Sequence, residues 1–164
     1  MYKSIIGGLN KNMQIRIEPY TKERIDDVLA FENELRRQED FWGWEIDKAY
    51  EESVFQSFSN PLFQASVSYL AYVENNVVGR IDASLIPSHF DGSIKAYLDW
   101  ICVLKSYRHN GVAQALMEHL RKALKEQYNV SVLIGLIASN KDAQSFYRNL
   151  PNSLIKDEGI WIDL

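Results

Sequence analysis

The run Ile101-Cys102-Val103-Leu104-Lys105-Ser106-Tyr107-Arg108-His109-Asn110-Gly111-Val112-Ala113 carries an apolar strand into a short polar loop and then into the first turn of a helix. The helix it opens, Gly111–Gln127, is strongly amphipathic. Val112, Ala115, Leu116, Leu120, Ala123 and Leu124 share one face, while Glu118, Arg121, Lys122 and Lys125 lie outside it. A helix start presents backbone N–H groups that have no intrahelical partner, at the positive end of the helix dipole. Gly111 and Ala113 keep that start free of bulk, and Arg108 adds a fixed positive charge whose shape suits phosphate. The stretch therefore predicts an anion cradle for a phosphate or pyrophosphate. It lacks the Gly-Lys-Ser/Thr of a P-loop and the Gly-x-Gly-x-x-Gly of a dinucleotide fingerprint. On its own, Arg-x-x-Gly-x-Ala fits equally well an ordinary strand–helix turn with a surface Arg.

Upstream, Ile94–Val103 reads as a long strand entered through the loop Pro87–Ser93. Before it, Ser66–Val73 and Val77–Leu85 form a hairpin pattern joined through Glu74-Asn75-Asn76. Gln14–Glu18 alternates apolar and polar residues and stops at Pro19, as a strand does. Two helices follow it. One covers Lys22–Gln38, with Thr21 as N-cap and Ile25, Val28, Leu29 and Leu35 at helical spacing. The other covers Asp47–Phe58, starts from an Asp47 cap and ends before Asn60-Pro61. Downstream lie a buried strand at Val130–Ala138, a short helix at Asn140–Leu150 stopped by Pro151, and a hairpin of Ser153–Asp157 with Ile160–Asp163. The order β-α-α-β-β-β-α-β-α-β-β predicts an α/β (α+β) fold with a mixed, mostly antiparallel central sheet flanked by helices.

A second motif, Ser139-Asn140-Lys141-Asp142-Ala143-Gln144-Ser145-Phe146-Tyr147, opens the last helix. Asn140 suits either a helix cap or a ligand amide. Tyr147 follows about two turns later on roughly the same side, as a core residue or a site residue. Together the two motifs resemble the GCN5-related N-acetyltransferase (GNAT) family. Its cofactor signature is Gln/Arg-x-x-Gly-x-Gly/Ala after a strand, and its later segment is Asn-x-x-Ala-x-x-hydrophobic-Tyr. Arg108, Gly111 and Ala113, then Asn140, Ala143, Phe146 and Tyr147, match in order, spacing and element type.

The resemblance implies the acyl-CoA N-acyltransferase fold and an enzyme that moves an acetyl group from acetyl-CoA to a primary amine by direct attack in a ternary complex. It implies that main-chain groups of Ile101, Cys102 and Val103 pair with the pantetheine arm. It assigns the N–H groups of Arg108, His109, Asn110, Gly111, Val112 and Ala113 to the pyrophosphate, and Asn140 to the pantetheine neighbourhood. Tyr147 becomes the general acid for the departing thiolate, a transfer between groups of pKa about 8.5 and about 10. Asp99 is the first candidate for the base that relieves the amine of its proton. Strand alternation places it on the side of Tyr97, Ile101 and Val103, unless a bulge changes that facing. A carboxylate paired within the sheet is the alternative. Asp82, inside an apolar strand, is the second choice and His89 the third. Cys102 reads as a small core residue, and His109 and His119 have no metal-ligand companion. A non-catalytic acyl-CoA-binding regulatory domain of the same fold is the runner-up.

In the family the first two helices shape the acceptor pocket, and here Glu39, Asp40, Trp42, Trp44 and Glu45 lie between them. Carboxylates and aromatic faces suit an ammonium group, so a cationic small molecule or peptide amine is the expected acceptor. Core packing of Trp42 and Trp44 is the alternative. The chain departs from its relatives after the Tyr helix, where Leu150-Pro151-Asn152 stands in place of a Gly-Phe pair. The apolar strand Ile160-Trp161-Ile162 suits pairing across a homodimer interface.

Composition agrees with this reading. At 164 residues and 46% apolar, the chain has the size of one domain with a sizeable core, expected over 13–164 behind a loose leader at 1–12. One cysteine excludes an internal disulfide framework, and no spacing suggests a metal site. No apolar run approaches the ~20 residues of a membrane helix and no secretory signal is visible, so a soluble cytoplasmic protein is the default. No strongly basic patch or nucleic-acid motif is visible. Charge is uneven: residues 1–100 hold 16 acids against 10 bases, and residues 101–164 hold 6 against 8. The acid excess concentrates at 18–52, with 12 acids against 5 bases.

Overall fold

A computed structural model describes residues 13–39, 45–135 and 141–154. In chain order the elements are β1 (Ile15–Pro19), α1 (Ile25–Gln38), α2 (Lys48–Ser57), β2 (Ser66–Val73), β3 (Asn76–Pro87), β4 (Ile94–Val103), α3 (Val112–Tyr128), β5 (Leu133–Gly135) and α4 (Lys141–Arg148). The five strands form one mixed sheet in the order β1-β2-β3-β4-β5. The first three pairings are antiparallel, and β4 with β5 is parallel. The expected tail hairpin, the leader at 1–12 and the segment 40–44 with Asp40, Trp42 and Trp44 fall outside the described residues, as does Asn140.

Local chemistry sets the boundaries. The Asp47 carboxylate accepts from the Tyr50 N–H at 2.8 Å and starts α2, as expected of this cap. Thr21 precedes a short 3-10 turn, Lys22–Arg24, without bonding its N–H groups through its side chain, and the α-helix proper begins at Ile25. Asn129, with φ 52°, closes α3, and the Val130 N–H returns to the Leu124 carbonyl.

The sheet is covered on both faces. Val28, Phe31 and Leu35 of α1 are buried on one side, and Val112, Leu116, Met117, Leu120 and Leu124 of α3 on the other. Cross-strand partners share a face, so Gly79, Ile81 and Ala83 of β3 sit with Ile101 and Leu98 of β4 under α3. Gly79 permits the approach of α3: a Cβ there would lie 3.0 Å from Val112 Cγ1 and 3.1 Å from Leu116 Cδ1. Arg80, Asp82 and Ser84 point to the other face, toward α1 and α2.

Two expectations need correcting. Of the strand expected to be buried over Val130–Ala138, residues 136–138 lie outside the described residues, and the described part is paired over Leu133–Gly135, with Val132 46% and Ile134 44% exposed. It borders the described sheet, so one flank of its side chains meets solvent there. The second correction concerns β4. Asp82 pairs with Trp100 and Ala83 with Leu98, which leaves Asp99 without a register partner. This β-bulge breaks the alternation, so Asp99 parts from Ile101 and Val103 and joins the face of Ser84 and Tyr97.

Candidate active site

The chain leaves β4 and β5 at the same edge of the sheet because the two strands are parallel, and helices begin after both. Open α/β sheets place ligands outside this edge. At the end of β4 the chain makes a 3-10 turn over Lys105–Tyr107 and runs extended through Arg108. His109 (φ 60°) and Gly111 (φ 81°) are left-handed. Asn110 steadies the loop by donating from Nδ2 to the Arg108 carbonyl at 2.9 Å. Gly111 is the N-cap of α3, and no side chain caps the helix. The first bond back to it comes from Ala115 at 2.9 Å. The N–H groups of Val112, Ala113 and Gln114 therefore lack intrahelical acceptors. A Cβ at Gly111 would meet nothing within 4 Å, so this helix start opens onto free space. The loop geometry fits an anion cradle.

Arg108 behaves differently from the expected free phosphate ligand. Its Nη1 lies 2.6 Å from Glu39 Oε1 at the end of α1, and its Nε donates to the Val103 carbonyl at 3.1 Å. The guanidinium thus fastens the loop to both α1 and β4, and the Glu39 hydrogen bond raises its pKa. Glu39 is correspondingly engaged, whereas Glu45 is exposed. Ile101–Val103 lie beyond the stretch of β4 that β5 is described as pairing, Ala96–Leu98. Cys102 is buried and its thiol is pushed up to about 11 by burial, which keeps it protonated and a poor nucleophile.

On the opposite face, the exposed Asp99 carboxylate accepts from Ser84 Oγ at 2.6 Å. Asp82 is held far more tightly. Arg80 reaches it from Nη2 at 2.9 Å and from Nε at 2.8 Å, and Ser68 Oγ donates to it at 2.6 Å. A carboxylate enclosed in this way and paired with a guanidinium is poorly placed to receive a substrate proton, while Asp99 keeps an oxygen toward solvent. His89 sits exposed in the β3–β4 loop, and the His119 ring stacks edge-on to Tyr69 at 4.5 Å. Tyr147 is half-buried against the core beside Phe146, 5.4 Å between ring centroids, and burial raises its pKa. The turn after α4 passes through a left-handed Asn152 and is held by Arg121 Nη2, which donates to the Pro151 carbonyl at 3.1 Å. Among the described residues no group of three potential ligands suits a metal, and no helix is long and apolar enough to cross a membrane.

Sequence reasoning missed Glu32, Tyr50 and Arg80, which form a part-buried polar cluster with Asp82 on the Asp99 face. A signal existed: Arg80 and Asp82 interrupt an apolar strand two residues apart, and Glu32 falls on the apolar stripe of α1 between Val28 and Leu35.

Comparison with known proteins follows the same lines. The model of the Acetyltransferase (GNAT) family matches residues 18–150. An aminoglycoside acetyltransferase from an uncultured soil metagenomic sample, solved with sisomicin, superposes with TM-score 0.77 at 13% identity, over 92% of this chain and 96% of that one. The ribosomal-protein-alanine N-acetyltransferase of Brucella melitensis biovar Abortus 2308 gives 0.70 at 16% identity, over 92% and 99%. The aminoglycoside 6'-N-acetyltransferase AAC(6')-Ih of Acinetobacter baumannii gives 0.69 at 18%, over 92% and 98%. At these identities the likeness is one of fold, the acyl-CoA N-acyltransferase fold. No curated protein matches by sequence.

Proposed function

Since the chain belongs to the GNAT acetyltransferase family, we propose that it acetylates a primary amine at the expense of acetyl-CoA, both substrates being bound together. The observation that carries this reading is the uncapped start of α3 behind the left-handed Gly111. Main-chain N–H groups over Arg108–Ala113 hold the pyrophosphate there, with charge complementarity supplied by the helix dipole. The main chain of Ile101–Val103 lies alongside the pantetheine arm, and the family resemblance assigns Asn140 to the same neighbourhood.

The chemistry of the transfer falls to two side chains. Asp99, on its bulge, takes a proton from the acceptor ammonium directly or through water, leaving the nitrogen lone pair free to attack. A C–N bond forms to the acyl carbon as the C–S bond breaks, and the nitrogen sheds its second proton to solvent water. Tyr147 gives its phenolic proton to the departing sulfur and recovers one from solvent. Its raised pKa keeps it protonated before the step. The buried, protonated Cys102 supports direct attack over an acyl-cysteine route.

The acid-rich segment around α1 and α2 supports a cationic acceptor, either a small molecule or a peptide N-terminus. Exposed carboxylates at Glu45 and Asp99 would face its ammonium groups. Thiol release from acetyl-CoA against a panel of amines tests the reading. Turnover with cationic amines is expected. Binding of acetyl-CoA without turnover across the panel would replace the enzyme with an acyl-CoA-binding regulatory domain. In Asp99→Asn the acidic limb of the pH–rate profile should disappear, and its persistence would remove Asp99 as the base.

A further inference from the structure

Glu32 is 2% exposed and is the charged residue among the buried side chains described. Its two oxygens serve two different elements. Oε1 accepts from Arg80 Nη1 of β3 at 2.9 Å, and Oε2 accepts from the Tyr50 hydroxyl of α2 at 2.6 Å. The far edge of Arg80 grips Asp82, and its guanidinium lies 4.8 Å from the Tyr20 ring and 5.6 Å from that of Trp100. Trp100 adjoins Asp99 at the bulge. A continuous set of contacts therefore runs from α2, through one carboxylate of α1, to the strand position that carries Asp99.

Helix α2 depends on this link because it buries no residue of its own. Among the described residues Lys22 Nζ also lies over the Phe55 ring at 3.7 Å, and Phe58, just past the helix, is edge-on to Tyr20 at 5.0 Å. Ring contacts of this kind tolerate sliding, whereas a two-sided carboxylate bridge fixes distance and direction. The cradle loop meets α1 at that helix's C-terminal end, through Gln38 and Glu39, about two turns from Glu32.

We propose that Glu32 is a positioning residue that sets α2 over the Asp99 face, so that the Tyr50–Glu32–Arg80 link governs recognition of the acceptor and leaves the cofactor side unchanged. This rests on the acetyltransferase reading above. The test uses the full chain, with acetyl-CoA and a panel of sisomicin, spermidine and an alanyl peptide. Tyr50→Phe removes a single hydroxyl, and Glu32→Asp shortens the carboxylate so that it cannot reach both partners. Each should raise the KM of the acceptor about tenfold, the value of one hydrogen bond to a charged group. Each should leave the KM and Kd of acetyl-CoA within about twofold. Amide hydrogen exchange over Lys48–Ser57 should accelerate in both. A wild-type chain that binds no acetyl-CoA and acetylates no amine overturns the acetyltransferase reading and this proposal with it. An active wild type whose Tyr50→Phe variant keeps its acceptor KM, or raises both KM values equally, overturns the proposal alone.

Discussion

Replacing Gly111 by Ala separates the backbone's demands on the cradle from the ligand's. Gly111 holds φ at 81°, a conformation that costs an L-residue roughly 1–2 kcal/mol. Its added methyl would touch nothing within 4 Å, so no steric term adds to that cost in the free protein. The expected loss is therefore about 1–2 kcal/mol by urea denaturation, with an unchanged slope, or about 2–8 °C in Tm for a chain of this length. The same methyl would stand where main-chain N–H groups meet an anion. Acetyl-CoA affinity, measured by calorimetry, should fall about tenfold or more, the value of one charged hydrogen bond. Gly111→Asn makes the distinction, because Asn visits the left-handed region far more readily. It should recover most of the stability and none of the affinity. An alanine variant as stable as wild type would refute the backbone argument, and an asparagine variant with wild-type affinity would refute the placement of the pyrophosphate.

Gly79→Ala probes the opposite situation, a normal φ with no room. Its Cβ would lie 3.0 Å from Val112 and 3.2 Å from the Cys102 carbonyl, so a loss of about 1–3 kcal/mol is expected in denaturant titration. A cost near zero would mean that α3 has slack on the sheet. Cys102 should shape the alkaline limb of stability. Its thiol is pushed from an ordinary value of 9.0 up to about 11, so the unfolded chain loses that proton first and stability falls as pH rises between those values. Cys102→Ala should flatten that slope, and an unchanged slope would place its origin elsewhere. Tyr147→Phe should lower kcat about 100-fold while the KM for acetyl-CoA stays within about twofold, as loss of a general acid predicts. Full turnover with chemistry rate-limiting would exclude the acid role.

Elements were legible wherever a local pattern determines them. The α3 stripe, the Asp47 cap and the turn at Glu74–Asn76 each depend on residues within a few positions of one another. The start of α3 at Gly111 was legible for the same reason, since a glycine between a polar loop and an amphipathic stripe marks a helix start. The facing of Asp99 was not, because alternation assumes an uninterrupted ladder and the bulge arises from pairing with β3. The engagement of Arg108 by Glu39 joins residues 69 positions apart, and that of Glu32 by Arg80 joins residues 48 apart. Such pairings follow from the packing of α1 on the sheet. Asp82 stood out by its place in an apolar strand, but its partners were not legible.

The bulge also makes Asp99 the dispensable residue of its strand. Leu98 and Trp100 already meet consecutive residues of β3, Ala83 and Asp82. A chain lacking Asp99 would zip those two strands into an unbroken ladder, with every other side chain of β4 still facing its present side. Excision at this one point would mend the scaffold and erase the proposed base at once. If Asp99 is that base, tolerance of deletion by the fold and intolerance by the chemistry coincide at a single position.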